Sequence, residues 1–247
     1  MRQVPIRVSD WQRWIDLPST QRLLAFESNW LADWLIQLRG QQLLYTGIDG
    51  HPSYIDMADM HHRFCFEMPW QRQTTAFHAQ VSEYRWPLPD SIIDVVILQH
   101  TLDFSANPHQ ILREACRVLC SGGYIVILGF NPFSIWGATH WLRRFSNDLP
   151  WSTNPVAGGR LVDWLRLLDF RMEFHGTAAV SWPLRYRGYR WIKAIDSKLA
   201  EARVLPGAIQ MIIARKTIAG MTQIGAVESD YSKGFAGVVP AARIGHQ

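Results

Sequence analysis

The chain has 247 residues, of which 48% are hydrophobic, 19% charged and 12% aromatic, with 12 Trp and 3 Cys. That profile excludes intrinsic disorder, which needs low hydrophobicity and high net charge, and it excludes collagen-like and disulfide-stapled classes. A formal charge of +4 is mild and its Lys and Arg are scattered, so composition does not mark a nucleic-acid binder. A chain of this length buries a sizeable core without metal or disulfide and allows one α/β domain with additions.

Before Pro18 no apolar stretch has signal-peptide length, and no window approaches the apolar length needed to span a bilayer. Cys65, Cys116 and Cys120 lack C-x-x-C spacing, and Cys116 and Cys120 read as small hydrophobes sharing a helix face at i, i+4. A cytoplasmic, non-membrane protein is the expectation.

In chain order, residues 20–39 predict a helix, because Leu23, Leu24, Glu27, Trp30, Leu31, Trp34, Leu35 and Leu38 keep an i, i+3, i+4, i+7 rhythm that Gly40 closes. Leu43 and Leu44 enter a short strand that stops at Gly47, and Asp49-Gly50-His51-Pro52 is a turn-forming run. Arg63 to Met68 predicts a second strand ending at Glu67, and 70–80 a loop or short strand. Ile93 to Leu98 (I-D-V-V-I-L) is β-branched, apolar and too short for a helix, so it reads as a buried strand. Asn107, Pro108 and Gln110 predict a capping box opening a helix whose stripe is Ile111, Leu112, Ala115, Val118 and Leu119. Ser121-Gly122-Gly123 stops it, and Tyr124 to Leu128 is the next buried strand.

Strand, helix, glycine stop and strand make a βαβ unit, which fixes an α/β parallel-sheet core. Beyond it, 131–149 predicts helix and loop, Leu161 to Leu168 a helix, Phe170–Phe174 a strand and Ile209–Ala214 a late strand. The organisation expected is a helical N-terminal extension over 1–40, a domain over 41–217 and a mobile tail over 218–247.

Open parallel sheets bind ligands beyond the carboxyl ends of their strands, where strand order reverses. The residues to inspect are therefore Gly47–His51, Glu67, Ser82–Glu83, Gln99–Asp103 and Phe130–Ser134. His100 is the best-placed titratable group there for a general base. His61-His62 lacks partners at metal-ligand spacing, and neither a G-x-G-x-x-G fingerprint, a G-K-[ST] loop nor a G-x-S-x-G elbow is present.

The stretches W-P-L-P-D-S-I-I-D-V-V-I-L-Q-H-T-L-D-F (86–104) and N-P-H-Q-I-L-R-E-A-C-R-V-L-C-S-G-G-Y-I-V-I-L-G-F-N-P (107–132) carry a resemblance. They resemble class I S-adenosylmethionine-dependent methyltransferases, most closely the bacterial type 11 pattern, through Pro87, Asp90, Asp94, Leu112, Arg113, Glu114, Arg117, Val118, Leu119, Gly122 and Gly123. The resemblance implies a Rossmann-like, doubly wound, mostly parallel sheet with helices on both faces. It implies S-adenosylmethionine as cofactor, S-adenosylhomocysteine as product, and a methyl acceptor whose identity it does not give, small or aromatic and apolar.

Aligned to the family's acid and Gly-x-Gly-x-Gly, the chain reads Tyr45-Thr46-Gly47-Ile48-Asp49-Gly50-His51, with Tyr45 for the acid and Asp49 for the second glycine. The family's cofactor contacts map onto Gly47, Asp49, Glu67 for the ribose, Ser82 or Glu83 for the adenine, and Gln99, with His100 as the catalytic base. A fold-retaining binding or scaffold protein is the alternative, supported by the altered glycine loop. A weaker alternative, an RNA methyltransferase, rests on Arg185, Arg187, Arg190 and Lys193 interleaved with Tyr186, Tyr189 and Trp191. Trp30, Trp34 and Trp164 fall on helix stripes and predict core, whereas Trp11, Trp14, Trp136, Trp141, Trp182 and Trp191 predict an aromatic acceptor surface.

Overall fold

The computed structural model describes residues 8–49, 52–70, 79–143, 149–178 and 206–217. Seven strands form one sheet: β1 (Gln42–Gly47), β2 (His62–Glu67), β3 (Ala79–Gln80), β4 (Ile93–Gln99), β5 (Leu119–Phe130), β6 (Phe170–Ala178) and β7 (Ile209–Lys216). Their order is β3-β2-β1-β4-β5-β7-β6, with β7 antiparallel to both β5 and β6 and every other pairing parallel. The doubly wound, mostly parallel sheet read from the sequence is the observed architecture. Strand order reverses between β1 and β4, which opens a crevice at their carboxyl ends.

Helices α1 (Val8–Ile15), α2 (Pro18–Leu35), α3 (Tyr54–Met57), α4 (Thr101–Phe104), α5 (Pro108–Val118), α6 (Ile135–Arg143) and α7 (Gly158–Leu167) cover this sheet. The strands' period of two sends alternate side chains to opposite faces. Leu44, Val96, Leu98, Ile125 and Ile127 pack with Ile111 and Ala115 of α5 and Leu161 and Leu165 of α7. Leu43, Tyr45, Val95, Ile97, Val126 and Leu128 pack with Leu31 and Leu35 of α2 and Ile55 of α3. Leu31 and Leu35 are fully buried, each stabilising the fold by about 2 kcal/mol of transfer free energy. Helix α2 therefore belongs to the domain's core instead of standing outside it as an extension.

Several expectations need correcting. The capping box does not form, because Asn107 Nδ2 donates to the Tyr84 hydroxyl and Gln110 Nε2 to the Tyr84 carbonyl. Helix α5 ends at Val118 and β5 begins at once, with Gly122 absorbed into the strand at φ 81°. Cys116 and Cys120 consequently lie on a helix and a strand, both half-buried, and do not share a helix face. Lys216 Nζ takes over the helix end by donating to the Cys116 and Leu119 carbonyls, each at 2.7 Å.

The tryptophans also change places. Trp11, Trp14 and Trp136 are buried with Phe104, Phe130, Ile48 and Ile209 at the carboxyl end of the sheet. Trp30 and Trp34 are the half-buried ones, packed on Phe174. Trp182, Trp191, the basic 185–193 cluster and the 218–247 segment lie outside the described residues.

Candidate active site at the carboxyl ends of the strands

The register places Gly47, Gln99 and Glu67 on one rung. Gly47 pairs with Gln99 across β1 and β4, and Glu67 follows Phe66, the partner of Thr46, so it ends β2 level with Gly47. Glu67 is 3% exposed, a carboxylate held at the mouth of the crevice. Beside Gly47, the Thr46 hydroxyl is buried and its Oγ1 has no hydrogen-bond partner among the described residues. Ser82 is exposed, and its Oγ accepts from the Tyr84 backbone N–H. Glu83 is half-buried and accepts from the Ser105 hydroxyl at 3.0 Å, tying the loop after β3 to the loop after α4.

The altered glycine loop is unstrained over its described part. Asp49 is absent from the positive-φ residues, so its Cβ does not carry the cost expected at a second glycine. Gly47 has a different reason for being glycine: a Cβ there would overlap the Tyr45 hydroxyl and lie 2.6 Å from Gln99 Cβ. Gly50 and His51 lie outside the described residues.

Behind the loop runs a buried polar network that the sequence did not announce. Glu27 of α2, fully buried, accepts from Gln99 Nε2 at 2.6 Å through one oxygen and meets His100 Nε2 at 2.6 Å through the other. His100 Nδ1 lies 2.9 Å from Asp103 Oδ2, which also accepts the Phe130 backbone N–H. Gln99 Oε1 lies 2.7 Å from the Tyr45 hydroxyl and 3.1 Å from that of Tyr54. The Tyr45 oxygen sits 2.8 Å from the Asp49 carbonyl and receives the Asp49 N–H at 3.2 Å.

Burial alone would push the His100 imidazole down, but the Glu27 charge and the hydrogen bonds to Asp103 and Glu27 raise it to about 10. Burial holds the Asp103 carboxyl above its ordinary value against the pull of His100. His100 is therefore an imidazolium at neutral pH, fully buried between two carboxylates, with no lone pair for an incoming proton. The expectation of a catalytic base at His100 is corrected on that ground. Its backbone stands in the left-handed region at φ 57°, local strain that the surrounding contacts hold in place. Gln99 is likewise fully buried, its amide committed to Glu27 and the two tyrosines.

An aromatic roof stands over the same end. The Phe130 ring lies 4.2 Å from His100 and stacks on Trp136 at 4.4 Å, and Trp136 stacks on Trp151 at 6.2 Å. His140 of α6, half-buried, lies 5.0 Å from Trp136, and its Nε2 donates to the Thr153 carbonyl at 3.0 Å. That contact fixes the tautomer and leaves the lone pair on Nδ1. Burial pushes the His140 imidazole down, outweighing the Thr153 carbonyl and Asp103, so it is neutral at pH 7.

Glu27 and His140 were missed as functional candidates. Glu27 did leave a signal, as the one acid within an otherwise apolar helix stripe. His140 left none.

Residues 28–127 match the model of a methyltransferase domain. The Escherichia coli K12 protein YafS, itself uncharacterized, is 30% identical over 224 residues, covering 89% of this chain and 87% of that protein. Among solved structures, an S-adenosylmethionine-dependent methyltransferase of Thermotoga maritima, described as a possible histamine N-methyltransferase, superposes with a TM-score of 0.59 at 17% identity, covering 85% of this chain and 96% of that one. A geranyl diphosphate methyltransferase in complex with GPP and sinefungin superposes with a TM-score of 0.54 at 13% identity, over 82% of this chain and 84% of that one. With the sheet order, the matched domain and a relative spanning most of both chains in agreement, the chain belongs to the class I methyltransferases that use S-adenosylmethionine as their cofactor.

Proposed function

We propose that the protein transfers the S-adenosylmethionine methyl group to an apolar or aromatic acceptor, and that Glu67 holds the cofactor's ribose. The observation that carries this reading is the nearly buried Glu67 carboxylate, level with Gly47, at the crevice where strand order reverses. The residues present fit the nucleoside half of the cofactor. A carboxylate accepts hydrogen bonds from two ribose hydroxyls.

When bound, the cofactor supplies an electrophilic methyl group on a sulfonium. The chain supplies position and surroundings: Glu67 for the ribose, Glu83 beside Ser82 for the adenine edge, and Asp49 for the cofactor's ammonium. Gln99 and His100 support this site from behind, since both are fully buried. For an acceptor that must lose a proton, His140 is the base, because it is neutral and its Nδ1 carries a lone pair beside the aromatic roof. The half-buried Trp151, stacked on the buried Trp136, favours an apolar or aromatic acceptor.

A second reading, a fold-retaining binding protein, is favoured by the Tyr45 hydroxyl and Gln99 filling the space next to Gly47. Thermal denaturation with S-adenosylhomocysteine separates the two. The methyltransferase reading expects the midpoint to rise with ligand concentration, as for any ligand that binds only the native state, and the rise to vanish in Glu67→Ala. A midpoint that stays flat up to millimolar ligand overturns it in favour of the second.

A further inference from the structure

The hydrogen bonds behind Gly47 have a direction, and Glu27 sets it. The Glu27 carboxyl oxygen accepts from the Gln99 amide nitrogen, which turns the Gln99 oxygen to the Tyr45 and Tyr54 hydroxyls. Tyr45 then meets three groups with one oxygen: Gln99 Oε1, the Asp49 carbonyl and the Asp49 N–H. In glycine-rich loops of this kind backbone N–H groups face the ligand. Here the N–H of Asp49, which stands in a glycine position, is turned onto a phenol of its own chain instead. The elements joined this way are far apart in sequence, since Glu27 and Gln99 are separated by 72 residues.

We infer that Glu27 is a positioning residue for the cofactor loop: from helix α2 its carboxylate orients Gln99, and through Gln99 it fixes the Tyr45 hydroxyl on Asp49. Tyr45 thereby does for the loop what its missing glycines do not. The links from Glu27 to Tyr45 are buried, with Glu27 and Gln99 fully so and Tyr45 1% exposed, while Asp49 at the far end is half-buried. Between Glu27 and Tyr45 water cannot replace a lost partner, so a change at Glu27 reaches the Tyr45 hydroxyl. Burial also holds the Tyr45 and Tyr54 phenols well above their ordinary values, so both keep the protons this arrangement needs.

The inference rests on the cofactor site proposed above, and its test separates the two. S-adenosylhomocysteine affinity is measured by calorimetry for the wild type, Tyr45→Phe, Glu27→Gln and the double variant, with amide hydrogen exchange at Ile48 and Asp49 in the ligand-free protein. Tyr45→Phe is expected to raise Kd about tenfold, as for one lost hydrogen bond, and to speed exchange of the Asp49 N–H. Glu27→Gln is expected to do the same in direction, and the double variant to fall within about threefold of the weaker-binding single, since coupled residues are not additive.

Affinities within about twofold of wild type in both single variants, or effects that multiply in the double, overturn the inference. Should Glu27→Gln not fold, the affinity and exchange of Tyr45→Phe decide alone. A wild type that binds no S-adenosylhomocysteine overturns the proposed function and this inference together, whereas wild-type binding with unchanged variants removes only the inference.

Discussion

Two ionic clusters sit at opposite ends of β4, and they differ in what they do and in how visible they are. At the amino end, Arg117 ties the turn before β4 to helix α5. Its guanidinium bonds Asp90 at 2.5 Å, Glu114 at 2.8 Å and the Leu88 and Trp86 carbonyls at 2.9 and 3.1 Å, while Glu114 accepts the Trp86 N–H. At the carboxyl end, Glu27, His100 and Asp103 are sealed from water beneath α2 and the aromatic roof. The first cluster is partly solvated and holds a turn. The second is dry and stands behind the crevice at the carboxyl ends of β1 and β4, where each charge depends on its partners.

The largest expected effect falls on the dry cluster. Glu27→Ala leaves a buried imidazolium facing Asp103 alone, and should cost about 3–5 kcal/mol of unfolding free energy in a denaturant titration. A loss below about 1 kcal/mol would mean that the cluster is not as closed as its geometry.

Next comes its pH dependence. The folded-state value of His100, about 10, lies above its ordinary 6.5. Its contribution is therefore fully present below pH 6.5 and is lost as pH rises through about 10. Stability should fall across that window by at most about 1.4 kcal/mol per pH unit, and His100→Asn, which tolerates the left-handed backbone, should flatten the slope. A slope unchanged in the variant would assign the titration to another group.

At the other end of β4, Arg117→Ala should cost about 1–3 kcal/mol, because it leaves the Trp86 and Leu88 carbonyls short of a partner. Part of this cost should be screened by salt, which the Glu27 effect should not be. Smallest is Trp141→Ala: at 61% exposure its loss should change stability by no more than about 0.5 kcal/mol. A larger change would show that Trp141 is packed in solution.

The same comparison explains what could be read from the sequence. The turn at the amino end is legible because its parts are local, with Asp90, Glu114 and Arg117 in one short stretch around two apolar strands. These motif residues carried the family resemblance, and in the structure they turn out to be scaffold. The positions of Glu67 and Gly47 at the carboxyl ends of their strands were also legible, because the two short apolar runs end there. Glu27 was placed on the right helix, but its partners lie 72 and 73 residues away, and no spacing rule reaches that far.

His100 was singled out for its position and misjudged in its chemistry, since its protonation depends on two carboxylates brought in by folding. Helix α1 escaped notice because its eight residues gain their burial from Trp11 and Trp14 packing on Phe104, a tertiary contact and not a local preference.

The most direct test of the account is a calorimetric titration of the wild type and Glu67→Ala with S-adenosylhomocysteine. The account predicts micromolar binding in the wild type, weakened about tenfold or more when the Glu67 carboxylate is removed. No binding by the wild type at millimolar ligand, or equal affinity in the two proteins, would contradict it.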